Sequence, residues 1–373
     1  MVCIAAFIIL CLVGIVVAFL SIFKREIGKK YWSVFKKAWH CVFKKVRLQK
    51  CDTNFKDDVK NTILKKVILK RPKLVKPLSI TIEVVSVLIV AITIWSIVIA
   101  IKSLLALWVF GTCNVSKPSA CSLTSESCSI DEDEPSNFFE MIGRGIGEWG
   151  EIFGAIPDRL RSWGEEDFKD MDNLAILNSK DSEIAKKLEE GSDDFKVAYD
   201  IIDPGCVVCM RSFVNQQKSG FMNDHLTYAV LYPITNGNGE YKFKNSGIAT
   251  KYLVALQKVL LEQEDFSYSN DSAFYVERII NRLFTEKDEK GISYQTRLNN
   301  DLEEKEVVEL FSDWLKEFGM DKYDIEEVEK WIESPEVAEI INKNKEIVDN
   351  KIHAKSIPTL IYDGKKHNGL YKE

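Results

Sequence analysis

The chain has 373 residues, 46% of them hydrophobic, and a formal net charge of −6, which is long enough for one ordinary domain plus further segments. Its nine cysteines and four histidines contain no second Cys-x-x-Cys and no histidine ligand pair, so a closed zinc site is set aside. Charge is unevenly placed: Lys24 to Lys76 hold 18 Lys plus Arg against 4 Asp plus Glu, a local +14, and everything else sums to about −20.

Met1–Phe23 and Leu78–Ile101 are near-continuous apolar runs of about the ~20 residues that cross a bilayer. Both read as transmembrane helices. The first lacks a basic n-region and a small-x-small site before Lys24-Arg25, so it reads as an uncleaved anchor rather than a signal peptide. The basic loop 24–77 belongs in the cytoplasm. That places a two-pass protein in the cell membrane, with its N-terminus and large C-terminal part outside, where disulfides persist. Within the loop, Tyr31, Trp32, Phe35, Trp39, Val42, Phe43 and Val46 recur at roughly helical spacing among lysines. This is a face for anionic headgroups of the lipid bilayer, and nucleic acid is not needed to explain it. Cys3 and Cys11 read as small apolar packers, and Cys41 and Cys51 as reduced thiols. Glu83 and Lys102 mark the ends of the second span and snorkel. Leu104–Phe110 either extends that span or lies in the outer interface.

Cys113, Cys121 and Cys128 follow in a serine-rich loop closed by Ile130-Asp131-Glu132-Asp133-Glu134-Pro135. Three close cysteines imply one structural disulfide and one odd thiol, with all three pairings open. The alternative is that one of them shuttles electrons to Cys206. From Phe138 to Trp163 apolar residues recur every three or four positions, an amphipathic helix. Gly143, Gly145, Gly147, Gly150 and Gly154 weaken it and Pro157 should interrupt it. It lies on the lipid interface or covers a face of the C-terminal domain. Asp172–Asp194 is strongly charged and reads as a solvated helix and linker. The organisation is therefore a membrane anchor over 1–110, an extracytoplasmic loop and linker over 111–194, and a domain over 195–373.

That domain reads as strand Phe195–Ile202, helix Cys206–Gln217, strand Leu226–Ile234 and a turn at Asn236–Gly239. Helical patterns follow at Ile248–Glu264, Asp271–Thr285, Glu303–Phe318, Ile325–Glu333 and Pro335–Lys351, the last capped by Ser334. Strand Thr359–Tyr362, an Asp363-Gly364 turn and a final strand His367–Tyr371 close the chain. The order predicts an α/β mixed sheet with a helical insert over about 247–351.

The chemistry concentrates in Asp200-Ile201-Ile202-Asp203-Pro204-Gly205-Cys206-Val207-Val208-Cys209. A strand-to-helix turn puts Cys206 at a helix N-terminus, where orphan N–H groups and the macrodipole favour the thiolate. Cys206 is the expected nucleophile. Cys209, one turn further in, is placed to attack a mixed disulfide on Cys206 and release its partner.

Asp200, six residues before Cys206, and the proline-entered strand Ser356-Ile357-Pro358-Thr359-Leu360 resemble the thioredoxin superfamily. Roughly 150 mostly helical residues separate Cys209 from Pro358, so the closer resemblance is to DsbA-like thiol:disulfide oxidoreductases, over about Phe195–Glu373. The resemblance implies a thioredoxin-like mixed sheet with a long helical insertion, and no cofactor. It makes Asp200 a buried proton acceptor for Cys209. It also makes Pro358 a cis-proline that brings Ile357 backbone groups beside Cys206 to receive an extended substrate segment. Two departures stand out. Val207-Val208 replaces the histidine or proline that stabilises the thiolate in strong oxidants, which leaves the redox direction open. No helix follows the last strand, so an upstream helix, a partner or the membrane must cover that face. The function expected is a membrane-anchored extracytoplasmic thiol:disulfide oxidoreductase serving secreted or surface proteins with an unidentified redox partner. A redox-inactive tether and a copper(I) metallochaperone are the alternatives.

Overall fold

The computed structural model describes residues 11, 25–47, 75–118, 127–130, 135–172, 174–236, 238–262 and 271–372. It forms two compact units, 1–101 and 102–373.

In the first unit, helix α1 (Arg25–Val46) stacks Trp32 on Phe35 and Trp39 on Phe43, with both tryptophans exposed. Helix α2 (Val75–Phe110) starts here and runs on into the second unit. At ~1.5 Å per residue it exceeds the ~30 Å hydrocarbon core. Among the described residues, Lys76–Phe110 is the one helix long and apolar enough to cross a membrane. Ile92 and Trp95 are 64% and 68% exposed on it. Hydroxyls within it bond to the helix itself: Ser86 and Thr93 donate to the Ile82 and Ile89 carbonyls, one turn back. The other expected span, Met1–Phe23, lies outside the described residues except for Cys11. Of the expected pair of transmembrane helices, the described residues hold one candidate.

In the second unit, the end of α2 packs Ala106, Val109 and Phe110 against Ile152 and Ala155 of helix α3 (Phe138–Leu160). Leu104–Phe110 therefore continues the helix rather than turning aside. Lys102 pairs with the buried Glu148 of α3, so its charge is neutralised by a partner rather than carried to water. Pro157 does not interrupt α3. It sits in the last turn, where the missing N–H forfeits one intrahelical bond, and its carbonyl still accepts from the Arg161 N–H. Ile142, Ile146 and Phe153 remain exposed on the other side of α3.

Strand β1 (Cys128–Ser129) lies apart from the main sheet, which begins with the edge strand β2 (Ala175–Ile176). Residues 172–194 are thus more than a solvated linker. Buried Asn178 donates to the Met222 and His225 carbonyls and accepts from the Thr227 N–H, which fixes β2 to the sheet. Helix α4 (Glu183–Glu189) follows, capped by Ser182. Strand β3 (Lys196–Ile202), helices α5 (Val207–Ser219) and α6 (Phe221–Asp224), and strand β4 (His225–Leu231) form the parallel crossover.

The helical insert comprises α7 (Ser246–Glu262), α8 (Tyr275–Thr285), α9 (Tyr294–Asn300), α10 (Glu304–Glu317), α11 (Lys322–Trp331) and α12 (Pro335–Ile347). Helix α9 escapes the sequence pattern because Gln295, Arg297, Asn299 and Asn300 conceal its apolar period. Strands β5 (Ser356–Ile357), β6 (Thr359–Tyr362) and β7 (Lys365–Asn368) return to the sheet. The Asp363-Gly364 turn has positive φ at both residues, the form that matches strand twist.

The main sheet runs β2-β4-β3-β6-β7, with β3 parallel to β4 and the other pairs antiparallel. Successive residues of β3 face opposite sides. Asp200 faces α5 through Gln216, while Tyr199 meets Phe168 in a parallel stack with ring centroids 3.6 Å apart. Trp163 and Phe168, on the segment after α3, supply the cover expected from another element, and the Trp163 N–H bonds to the Gly364 carbonyl.

Candidate functional site

The site is built on the turn between β3 and α5. Cys206 is the N-cap of α5, with no side-chain cap hydrogen bond, and so stands at the helix end that carries the orphan N–H groups. Asp203 shapes the approach. Its carbonyl accepts from the Cys206 N–H, and its carboxylate accepts from the N–H groups of Gly205 and Ile234, both at 2.7 Å, and from the Ser246 hydroxyl. The insert closes around the same turn. Gln295 donates to the Pro204 and Cys206 carbonyls, and Asn299 to that of Gly205.

Gly205 is required by space. A Cβ there would fall 2.5 Å from Phe243 Cβ and 3.0 Å from Asn299 Oδ1. Gly205→Ala is expected to cost about 1–3 kcal/mol by overpacking and to slow Cys206 chemistry by displacing the turn. Urea unfolding and the alkylation rate of Cys206 in the reduced protein measure the two effects.

Behind the turn, Asp200 and Cys209 are both fully buried. One Asp200 carboxylate oxygen accepts from Gln216 Nε2 at 2.7 Å, and the other has no hydrogen-bond partner among the described residues. Burial raises the Asp200 pKa to about 7, against the opposing pull of Gln216. Asp203 is raised to about 6 for the same reason, moderated by its hydrogen bonds. Cys209 is a free thiol, pushed well above the usual thiol range by burial and by the two nearby carboxylates. A carboxyl group titrating near neutrality is thus buried in the same region as a thiol that ionises poorly alone.

The far wall is β5. The Ile357–Pro358 peptide is cis, and the Ile357 carbonyl oxygen lies 3.9 Å from Cys206 Sγ. Asp200, Cys206, Cys209, Ile357 and Pro358, scattered over 159 residues of sequence, belong to one region around the start of α5.

The cysteine pairing differs from the expectation. Cys206 is not bonded to Cys209 but to Cys128, 78 residues earlier. The loop therefore does not staple itself with Cys128: Cys113 is in a disulfide of its own, and Cys121 lies outside the described residues. Strand β1 pairs antiparallel with β5, Cys128 opposite Ile357 and Ser129 opposite Ser356. The Ile130 N–H continues the ladder to the Lys355 carbonyl at 3.2 Å. Sequence reasoning missed Asp203, Gln216 and Gln295, and held a loop cysteine acting on Cys206 only as the alternative to a disulfide within the loop. Asp203 had a legible signal, an aspartate opening a Pro-Gly turn, whereas Gln216 and Gln295 had none.

No protein-family model and no curated protein matches the sequence. Among solved structures, the chain is similar to a thioredoxin-like oxidoreductase from Silicibacter pomeroyi DSS-3, at 12% identity over 56% of this chain and 91% of that one, TM-score 0.33. It is similar to the MdbA protein, a thiol-disulfide oxidoreductase from Corynebacterium diphtheriae, at 12% identity over 55% and 93%, TM-score 0.34. The thiol-disulfide exchange protein alpha-DsbA2 from Wolbachia pipientis matches at 14% identity over 57% and 94%, TM-score 0.33.

Proposed function

We propose that this chain is a membrane-held thiol:disulfide oxidoreductase that exchanges disulfides with extracytoplasmic proteins. The observation carrying this reading is that Cys206, at a helix N-terminus, holds a strand-paired cysteine while the buried Cys209 stays free behind it. Cys206 is the sulfur that meets the client. Val207 and Val208 offer it neither charge nor donor, so the first-turn N–H groups of α5 are what stabilises its thiolate. The client lies as an extended segment along Ser356–Ile357, in the register β1 now occupies. Cys209 then attacks Cys206, passing its proton to Asp200, and the client leaves as the thiol. Helix α2 is the anchor, and the Met1–Phe23 run is read as a second span from its sequence. The excess of basic residues over 24–76 assigns the loop between them to the cytoplasm.

Cys209→Ser in a Cys128→Ser background removes both thiols that can displace a client from Cys206 and leaves Cys206 in place. The reduced variant, mixed with a cysteine peptide activated as a thionitrobenzoate disulfide, is expected to accumulate an adduct that peptide mapping places on Cys206 and that lives at least about 100-fold longer than with Cys128→Ser alone. Adducts mapped to other cysteines and not to Cys206, or an equally short-lived one on Cys206 in the two variants, overturn the assignment.

A further inference from the structure

Residues 128–130 contact the site in three ways. The Cys128 sulfur is bonded to Cys206. The backbone completes an antiparallel ladder with Lys355, Ser356 and Ile357. Cys128 and Ile130, which share one side of the strand, both pack against the main core, and Lys242 donates to the Ser129 carbonyl at 2.7 Å. Under this segment Cys206 is fully buried. The chain returning from it is fastened nearby, by Glu151 to Lys355 at 2.9 Å and by Asp158 to His353 at 3.1 Å. The strand is therefore held at high effective concentration over the site.

Building on the function proposed above, we propose that Cys128 is a third redox cysteine and that residues 128–130 are the chain's own occupant of the client groove. The groove, once open, takes extended peptides of the form cysteine, small residue, aliphatic residue. Opening consumes no oxidant or reductant. The Cys209 thiolate attacks Cys206, the Cys206–Cys209 bond forms as the Cys128–Cys206 bond breaks, and Cys128 leaves as a thiolate that takes up a proton. The proton lost by Cys209 goes to Asp200. One disulfide replaces another, and the product carries an oxidised Cys206–Cys209 pair beside a vacated β5 edge. Reversal closes the groove again, so a client competes with Cys128 for the same sulfur and the same backbone partners.

The test uses the full-length oxidised protein in detergent and two fluorescent reduced peptides, Cys-Ser-Ile and Cys-Ser-Asp. With Cys-Ser-Ile, Cys128→Ser is expected to be oxidising at least about tenfold faster than wild type, and severalfold faster than with Cys-Ser-Asp. Equal rates for wild type and Cys128→Ser, both abolished by Cys206→Ser, would leave the oxidoreductase standing and overturn the occupant. Activity that survives Cys206→Ser instead overturns the parent function. Equal rates with the two peptides overturn the client class. If circular dichroism shows Cys128→Ser unfolded, Lys242→Gln decides: it keeps all three cysteines and loosens the Ser129 tie, and an unchanged rate there also overturns the occupant.

Discussion

Asp200→Asn is expected to slow release of a client bound to Cys206 about 100-fold at pH 7. The cause is electrostatic. Cys209 is buried and held well above the ordinary thiol range, so it cannot attack until a neighbour takes its proton. Asp200, at about 7, with one oxygen unpartnered and its charge felt by Cys209, is the acceptor proposed above. In the wild type, release should accelerate as pH rises through about 7 and Asp200 ionises. The variant should lose that inflection and recover only where Cys209 ionises unaided. Single-turnover decay of the peptide adduct across pH 5–9 measures both effects, and an unchanged profile removes Asp200 from the mechanism.

The same residue links stability to pH. Its folded value of about 7 stands above the ~3.9 of an unfolded aspartate. Between those limits the folded chain binds more protons than the unfolded one, so this side chain costs stability progressively as pH rises. The cost is absent below ~3.9 and complete above about 7. Asparagine carries no such charge. The stability of Asp200→Asn relative to wild type is therefore expected to improve between pH 4 and pH 8 by a few kcal/mol, readable from urea midpoints.

Phe168→Ala is expected to destabilise the second unit by about 3–5 kcal/mol and to lower its thermal midpoint by about 10 °C. Phe168 is 1% exposed, lies flat on Tyr199 and touches Trp163. Its loss leaves a cavity over the central strand that carries Asp200, on the side away from α5. Phe153→Ala, on the exposed side of α3 at 56% exposure, is the matched control and should change stability by no more than about 0.5 kcal/mol. Equal losses in the two variants would show that the segment after α3 is not part of the core.

Periodicity and turn chemistry were enough to read most elements. Strand β3 is a largely apolar run, Pro204-Gly205 breaks the chain before α5, Ser334-Pro335 starts α12, and Asp363-Gly364 turns β6 into β7. These are local signals, set by backbone sterics and side chains within a turn or two. The short pieces were harder. β2 has two residues and is tied to the sheet by Asn178, whose partners lie 44 to 49 positions away. Helix α9 is polar because it serves the Pro204–Cys206 carbonyls rather than a wide apolar seam.

By itself the amino-acid order determined where a thiol would sit at a helix start, which segments are apolar enough for lipid, and that an acid precedes the dithiol while a proline opens a late strand. Which cysteine holds Cys206 was decided only in three dimensions. Cys113, Cys121 and Cys128 are alike in local sequence, and what distinguishes Cys128 is a backbone ladder to residues more than 200 positions away. Pairing of that kind depends on how the sheet, the insert and α3 close around one another, and no run of neighbouring residues encodes it.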